Sequence, residues 1–350
     1  MYKSDRVALA FVIVSLASML GAPAAQADDP SAPRCDRRTV PVHVGLASLT
    51  ISGTYCRPAA GAPDSAFVLV PGATYSHEYW DFQYEPDTYS FSRGLARNGY
   101  ASFAIDRLGT GQSSKPLSVT VTSFVQASAV HQVIGLLRGS GFDGDHFSRV
   151  LLAGHSLGSG IAIIEAATYR DVDGLVLTGI AHRFNLQRAA RLVAVETYPA
   201  PLDPAFAGTT IDPGYLTTRP GLRKAAFHDP GQVDPAVIQR DEATKDAFSV
   251  TEAPDGFAFG MILPYSHRIT APVIIVDGSE DSIACVGAAD CSSSAALRAQ
   301  EQPYYAKSPC LSALVMPNVG HDLNLHPTAP VTQDRVASWA NAIAGGDCPG

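Results

Sequence analysis

The 350-residue sequence lacks several features that would assign it to common functional classes. It has no C-x-x-C pair and no His-rich segment, so the usual ligand spacing of a metal site is missing. No internal repeat is visible, and beyond residue 20 no apolar run is long enough to cross a membrane. Positive charge is also in deficit, with 25 Lys and Arg against 33 Asp and Glu. The net charge of −8 argues against nucleic acid or an anionic membrane as a partner.

The N-terminus has the three parts of a secretory signal. Lys3 and Arg6 precede an apolar run over residues 7–20, and Ala-Gln-Ala at 25–27 provides small residues for a cleavage site. The apolar run is shorter than the roughly 20 residues that a membrane span needs. We therefore expect a secreted, extracellular protein with residues 1–27 as a signal peptide. A membrane anchor is the alternative interpretation.

All six cysteines follow this predicted signal, and an even number in an exported chain predicts three disulfides. Fifteen pairings are possible in principle. We favour a pair that joins the N-terminal strands, a pair within one loop, and a pair that holds the C-terminal helix: Cys35–Cys56, Cys285–Cys291 and Cys310–Cys348. A metal site is the alternative, and the cysteine spacing does not support it.

Short unbroken apolar runs alternate with helix-like stretches along most of the chain. Residues 40–55 alternate in places and predict an antiparallel hairpin, after a loose polar leader at 28–38. The apolar runs are typical of strands covered on both faces, and they lie at 67–70, 101–105, 150–153, 175–177, 273–276 and 313–316. The predicted helices lie at 89–97, 123–137, 158–169, 295–304 and 331–344. This order predicts an α/β fold, a mostly parallel twisted sheet with helices on both faces.

One interval breaks this alternation. Between Ile180 and Pro272 no buried strand is evident, while prolines and aromatic residues are frequent and a helix is predicted at 185–196. An insertion of this length predicts a cap or lid at 183–270 over the carboxyl ends of the strands, between core parts at 28–182 and 271–350. The alternative is an ordinary surface excursion. Its aromatic residues could line a substrate pocket or pack within the cap: Phe184, Tyr198, Phe206 and Tyr215.

The pentapeptide Gly154-His155-Ser156-Leu157-Gly158 carries the strongest chemical signal. A G-x-S-x-G that closes a buried strand and opens a helix is the sequence form of a nucleophile elbow. Such a turn holds the serine hydroxyl at the strand end, where the free N–H groups of the helix favour negative charge. The alternative is a serine that only begins the helix.

A nucleophilic serine needs a base, and the base needs an acid that orients it. Asp281 lies a few residues past the strand at 273–276, and His321 follows the last strand after Gly320. Ser156, Asp281 and His321 therefore occur in the order serine, acid, histidine that this elbow requires. Other residues remain open as the acid or the base: Asp277 and Glu280, and His77, His131, His182 and His326.

Together these motifs resemble the α/β-hydrolase family, over nearly the whole chain after the signal. Residues 71–74 (Pro-Gly-Ala-Thr) resemble the family's oxyanion loop, although the family usually has His-Gly where this chain has Pro-Gly. The resemblance implies that the backbone N–H groups of Ala73 and Leu157 form an oxyanion hole. Residues 106–113 resemble the family's D-x-x-G-x-G-x-S turn, which implies a structural role for Asp106.

The resemblance implies a monomeric serine esterase, lipase or lactonase that acts on a small-molecule carboxylic ester or lactone and needs neither a metal nor an organic cofactor. The same triad also supports amide hydrolysis, cofactor-free haloperoxidase chemistry or acyl transfer. A binding protein with a dead site is a remoter alternative. Aromatic residues after the oxyanion loop either line an apolar or aromatic substrate pocket or pack against the cap: Tyr75, Tyr79, Trp80, Phe82 and Tyr84.

Overall fold

The computed structural model describes residues 31–228 and 233–349. The signal peptide predicted at residues 1–27 lies outside the described residues. Within them, no helix has the length and hydropathy needed to cross a membrane.

Eleven strands form two sheets in the described part of the chain. In chain order they are β1 (Arg34–Val44), β2 (Ala47–Arg57), β3 (Ser65–Val70), β4 (Ala101–Ile105), β5 (Arg149–His155), β6 (Gly174–Thr178), β7 (Thr197–Pro199), β8 (Tyr215–Thr218), β9 (Phe248–Ser249), β10 (Val273–Gly278) and β11 (Leu311–Met316). Eight of them form the central sheet in the order β1-β2-β4-β3-β5-β6-β10-β11. From β4 to β11 all neighbours are parallel, and β2 is antiparallel to both β1 and β4. The predicted mostly parallel α/β sheet is therefore confirmed.

The N-terminal hairpin begins earlier than predicted. β1 starts at Arg34 and pairs with β2 along its whole length, so residues 34–38 are not part of a loose leader. Cys35 faces Cys56 directly in this pairing, and a disulfide joins them. The leader prediction was wrong there because polar residues on the exposed side of an edge strand resemble a loop.

Ten α-helices accompany the strands in the described residues. They are α1 (Pro86–Tyr89), α2 (Phe91–Arg97), α3 (Ser123–Arg138), α4 (Leu157–Thr168), α5 (Leu186–Arg191), α6 (Arg223–Phe227), α7 (Pro235–Ala243), α8 (Glu252–Phe257), α9 (Ser294–Glu301) and α10 (Ala329–Ala344). The helices predicted near 123–137, 158–169 and 331–344 correspond to α3, α4 and α10.

The middle strands of the central sheet, β4, β3, β5, β6 and β10, are buried on both faces. Successive side chains of a strand point to opposite faces, and in β3 Val68 and Val70 join one hydrophobic cluster while Phe67 and Leu69 join the other. The first cluster includes side chains of α3 and α4, and the second includes side chains of α2 and α10. This double coverage explains why the strand sequences are unbroken apolar runs.

The interval 183–270 contains α5 to α8 and the small antiparallel sheet β7-β8-β9. The expectation that this interval holds no buried strand was wrong, because β8 and β9 are mostly buried. These strands have two to four residues, too few to show an alternating pattern. The helix predicted at 185–196 is α5 followed by a π-helical turn at Leu192–Glu196.

The other two disulfides lie in the C-terminal part. One joins Cys285 to Cys291 within the loop after β10, and the other joins Cys310 to Cys348. The second bond ties the residues after α10 to the start of β11. All six cysteines are paired as favoured from the sequence.

Candidate active site

Ser156 lies in a strained turn between β5 and α4. Its φ of 52° is in the left-handed region, which a residue other than glycine adopts rarely and at a cost. The turn is tight because a Cβ at Gly154 would lie 2.4 Å from the carbonyl oxygen of Gly158, and a Cβ at Gly158 would lie 2.3 Å from the oxygen of Val70. Both flanking glycines are thus required by the close approach of backbone atoms.

His321 and Asp281 form a buried pair at the carboxyl ends of the last two strands. His321 Nδ1 and Asp281 Oδ2 are 2.7 Å apart. Asp281 Oδ1 accepts hydrogen bonds from the backbone N–H groups of Ile283 at 2.7 Å and Ala284 at 3.0 Å. The carboxylate is therefore fixed by its own loop while it orients the imidazole.

The opposite nitrogen of His321 is available for chemistry. Nε2 is buried and has no hydrogen-bond partner among the described residues. Ser156 and His321 line the same cavity, although no hydrogen bond joins them in this structure. Catalytic hydrogen bonds in ligand-free enzymes are often long and tighten only with substrate.

The pKa values of the pair shift in the directions that a base and its acid need. Burial alone would raise the pKa of Asp281, but the charge and hydrogen bond of His321 and the two backbone N–H groups lower it below its usual range. Burial alone would lower the pKa of His321, and the Asp281 carboxylate outweighs this effect and raises it. The pair thus stabilises an imidazolium at His321.

The two residues proposed from the sequence as oxyanion donors line the same cavity as Ser156. Leu157 is the first residue of α4, and Ala73 lies in the loop after β3; both line the cavity. Within the described residues, neither N–H group donates a hydrogen bond to a protein acceptor. In enzymes that attack a carbonyl group, unpaired backbone N–H donors next to the nucleophile stabilise the oxyanion.

The wall of the cavity is mainly apolar. The segment predicted to form a cap supplies much of that wall: Ala189, Leu192, Val193, Thr197, Phe227, Phe248, Ala253 and Phe257. No Asp, Glu, Lys or Arg is among the lining residues that the structure describes.

The aromatic residues singled out from the sequence do not form most of this wall. Of the cluster after the oxyanion loop, Tyr75 lines the cavity, and Tyr79, Trp80 and Phe82 are buried in the hydrophobic cluster of α2 and α10. The predicted cap aromatics are not in the lining: Phe184, Tyr198, Phe206 and Tyr215. Three other aromatic residues do line the cavity: Phe227, Phe248 and Phe257. The sequence around them has no periodic pattern, so they were not predicted as lining residues.

A buried polar network lies beside the cavity, and it was not predicted from the sequence. Asp322 follows His321 and accepts from the hydroxyl of Tyr75, and one of its oxygens lies 3.2 Å from His155 Nε2. His228 Nε2 lies 2.9 Å from Asp241 Oδ2 and 3.6 Å from Asp322 Oδ2. Burial lowers the pKa of His155 to about 4, although Asp322 opposes the shift, so this imidazole is neutral at physiological pH.

The alternative acids and bases are engaged elsewhere. Asp277 is buried and accepts a hydrogen bond from the backbone of Ile180, whereas Glu280 is exposed. The alternative histidines bond to other partners: His77 to Asp106, His131 to Asp171, His182 to Glu301 and His326 to Thr328. None of these alternatives lines the cavity as the structure describes it.

Besides a group that includes the Cys35–Cys56 disulfide, two groups of side chains bring possible metal ligands within 4.8 Å of one another. They are His228, Asp241 and Asp322, and His131, Glu165 and Asp171. In the first group, Arg223 donates to Asp241 at 2.7 and 2.9 Å, so a guanidinium already supplies the positive charge. The second group does not line the cavity. We assign neither group as a metal centre of the site.

Solved structures with a similar fold include hydrolases of several kinds. A thermophilic esterase from Thermogutta terrifontis has 16% identity and a TM-score of 0.53, over 87% of this chain and 98% of its own. A soluble variant of monoglyceride lipase from Saccharomyces cerevisiae has 14% identity and a TM-score of 0.57, over 88% and 94%. A serine hydrolase involved in carbazole degradation has 17% identity and a TM-score of 0.52, over 87% and 99%. At these identities the likeness shows the fold alone.

The sequence has no match among curated proteins. It does match a family model over residues 67–333, more than half of the chain, and the description of that model is Alpha/beta hydrolase family. This stretch runs from β3 through the elbow and beyond His321. The chain is therefore a member of the α/β-hydrolase family.

Proposed function

We propose that this protein is an exported serine hydrolase that cleaves a carboxylic ester or lactone. Ser156 is the nucleophile, His321 the general base and Asp281 the acid that orients it. One observation carries the proposal: His321 bonds to Asp281 through Nδ1, its buried Nε2 has no partner among the described residues, and His321 lines the same cavity as Ser156.

In the proposed reaction, His321 Nε2 takes the proton of Ser156 as Oγ attacks the substrate carbonyl carbon. The oxyanion accepts hydrogen bonds from the N–H groups of Ala73 and Leu157, each worth roughly 3 kcal/mol in the transition state. The intermediate collapses, and His321 gives its proton to the leaving alkoxide. Water, deprotonated by His321, then attacks the acyl-enzyme and releases the acid and free Ser156.

The apolar wall of the cavity supports a small, uncharged substrate with an apolar acyl or aromatic group. A charged acyl chain would lose its hydration there without gaining a partner, because no charged Asp, Glu, Lys or Arg side chain is in the described lining. No step of the proposed reaction needs a metal or an organic cofactor, and the protein is proposed to act as a monomer.

Export is supported by the cysteines. All six are paired in the described residues, and disulfides persist mainly in oxidising compartments. This agrees with the secretory signal predicted from residues 1–27. The proposed site of action is therefore extracellular.

The test is hydrolysis of a p-nitrophenyl ester by the Ser156→Ala variant. The proposal predicts that turnover falls to the background rate while the fold is retained. Ser148→Ala is a matched control, because this serine is exposed and lies outside the cavity lining, and it should keep full activity. Full activity in Ser156→Ala would refute the proposal. Matched ester, lactone and amide substrates then identify the bond that is cleaved.

A further inference from the structure

Arg223 is a fully buried arginine in the segment predicted to form a cap, and it contacts the loop that follows β3. Its Nε and Nη2 donate to Asp241 at 2.9 and 2.7 Å, in a two-pronged geometry that fixes the guanidinium plane. The remaining nitrogen, Nη1, donates to the hydroxyl of Thr74 at 2.9 Å. Arg223 and Asp241 have side-chain exposures of 0% and 1%, so solvent does not screen these contacts.

Thr74 is held in a conformation that it would not adopt by itself. Its φ of 63° is in the left-handed region, where a β-branched residue is a rare outlier. Such a conformation persists only where the surroundings impose it. Two groups from the same segment do so, because the backbone N–H of Asp246 donates to the Thr74 carbonyl at 2.8 Å while Arg223 holds the hydroxyl.

The proposed oxyanion donor, the N–H of Ala73, belongs to the peptide between Gly72 and Ala73, which lies one peptide unit before the bond that joins Ala73 to Thr74. Rotation of the Thr74 backbone out of the left-handed region would displace Ala73 and its N–H, because the two residues are consecutive in one short loop. Arg223 itself is absent from the described cavity lining. Arg223 therefore reaches the cavity through lining residues, among them Thr74.

The same guanidinium also packs on the cavity wall. Its central carbon lies 4.2 Å from the ring centre of Tyr75, whose hydroxyl donates to Asp322 next to His321. The charge is compensated by Asp241, and this contact lowers the pKa of the Asp241 carboxyl and raises that of Arg223. Both ionised groups therefore stay paired across the pH range in which an esterase is assayed.

We propose that Arg223 is a positioning residue that completes the oxyanion hole by fixing Thr74 and, through it, the N–H of Ala73. This inference rests on the proposed function, since it assigns a role within that reaction. The hydrogen bond from an oxyanion donor forms fully only in the transition state, so displacing the donor lowers kcat and leaves KM nearly unchanged. A merely structural arginine would lower the fraction of folded protein without this selective effect on kcat.

Arg223→Lys and Thr74→Val test the proposal in a double-mutant cycle with a p-nitrophenyl ester. Lysine keeps the positive charge but cannot make the two-pronged contact with Asp241. Valine keeps the shape of threonine but lacks the hydroxyl. Each variant should lower kcat by roughly tenfold to a hundredfold with little change in KM. The double variant should lose little more kcat than either single variant, because the bond between Arg223 and the Thr74 hydroxyl is broken in each of them. Thr74→Ser, which restores the hydroxyl, should recover most of the activity lost in Thr74→Val.

Arg240→Lys is the matched control. Arg240 also joins this segment to the core, through Glu78 at 3.1 and 3.2 Å, but it is not bonded to Thr74. Its variant should keep the kcat of the wild type. An unchanged kcat in Thr74→Val, additive losses in the double variant, or an equal loss in Arg240→Lys would overturn the inference. Turnover and Ser156 labelling in the wild type would still uphold the proposed function, so the two failures are distinguishable.

Discussion

At the scale of single residues, His321 is subject to two opposing effects. Burial disfavours its protonated form, and the carboxylate of Asp281 at 2.7 Å favours it more strongly. The net pKa therefore lies above the roughly 6.5 of an unperturbed histidine. A general base works only when it is deprotonated, so activity should be lost as the pH falls through this raised value.

The predicted pH profile of kcat/KM has an acid limb with an apparent pKa above 6.5. Asp281→Asn removes the charge that raises the pKa of His321 and leaves the burial that lowers it, so the limb should move to lower pH. The rate itself should fall by about 10,000-fold, as expected when the orienting carboxylate of a triad is lost. Stopped-time assays of ester hydrolysis across the pH range measure both effects. A limb that moves to higher pH in Asp281→Asn would contradict this assignment.

The three proposed catalytic residues were predictable because each follows a recognisable apolar strand. Ser156, Asp281 and His321 lie just past β5, β10 and β11, and parallel strands bring their carboxyl ends to one edge. Arg223 was not predictable, because its contact with Thr74 spans 149 positions of the chain and joins two segments without a shared motif. Contacts of this kind depend on the tertiary fold.

At the scale of elements, the turn after α5 shapes the cavity. Leu192 opens the π-helical turn Leu192–Glu196 and lines the cavity, whereas Leu186 at the start of α5 is 66% exposed. The two leucines lie six positions apart on consecutive helical elements but meet different environments. This contrast provides a matched pair for a specificity experiment.

Leu192→Ala should shift the preference of the enzyme towards longer acyl chains. Removing the side chain enlarges the apolar cavity near Ser156 without adding a polar group. The measurement is the ratio of kcat/KM for p-nitrophenyl octanoate to that for p-nitrophenyl butyrate, and it should rise about tenfold or more, since one methylene accommodated in a hydrophobic pocket is worth about 1–3 kcal/mol. Leu186→Ala should leave the ratio unchanged. A ratio that rises equally in both variants would place the acyl group elsewhere.

The elements themselves were predictable to different degrees. β4 was predicted with its observed bounds, since its five buried residues form one apolar run. β7, β8 and β9 were missed because strands this short are fixed by their partners rather than by their own pattern. The role of residues 183–270 as a cap stays a prediction, supported by their share of the cavity wall.

At the scale of the whole molecule, the disulfides close loops of unequal length. Cys310–Cys348 spans 38 positions and fixes the chain after α10, whereas Cys285–Cys291 spans six within one loop. A crosslink stabilises mainly by restricting the unfolded chain, and the effect grows with loop length. The two bonds should therefore contribute unequally to the free energy of unfolding.

Replacing both Cys310 and Cys348 by Ala should lower the free energy of unfolding by about 4 kcal/mol, against about 2 kcal/mol for the Cys285/Cys291 pair. Denaturant unfolding of the two double variants, followed by tryptophan fluorescence, measures the difference. A larger loss from the six-position loop would show that local packing, rather than chain restriction, dominates.

The proposed reaction depends on Ser156 being an activated nucleophile, and covalent labelling tests this property most directly. The protein is incubated with a fluorophosphonate probe, and the modified peptide is located by mass spectrometry as esterase activity declines. We expect one adduct per chain, on Ser156, in proportion to the activity lost, and no adduct in Ser156→Ala. Continued hydrolysis without labelling, or inactivation through an adduct at another residue, would contradict the proposed reaction.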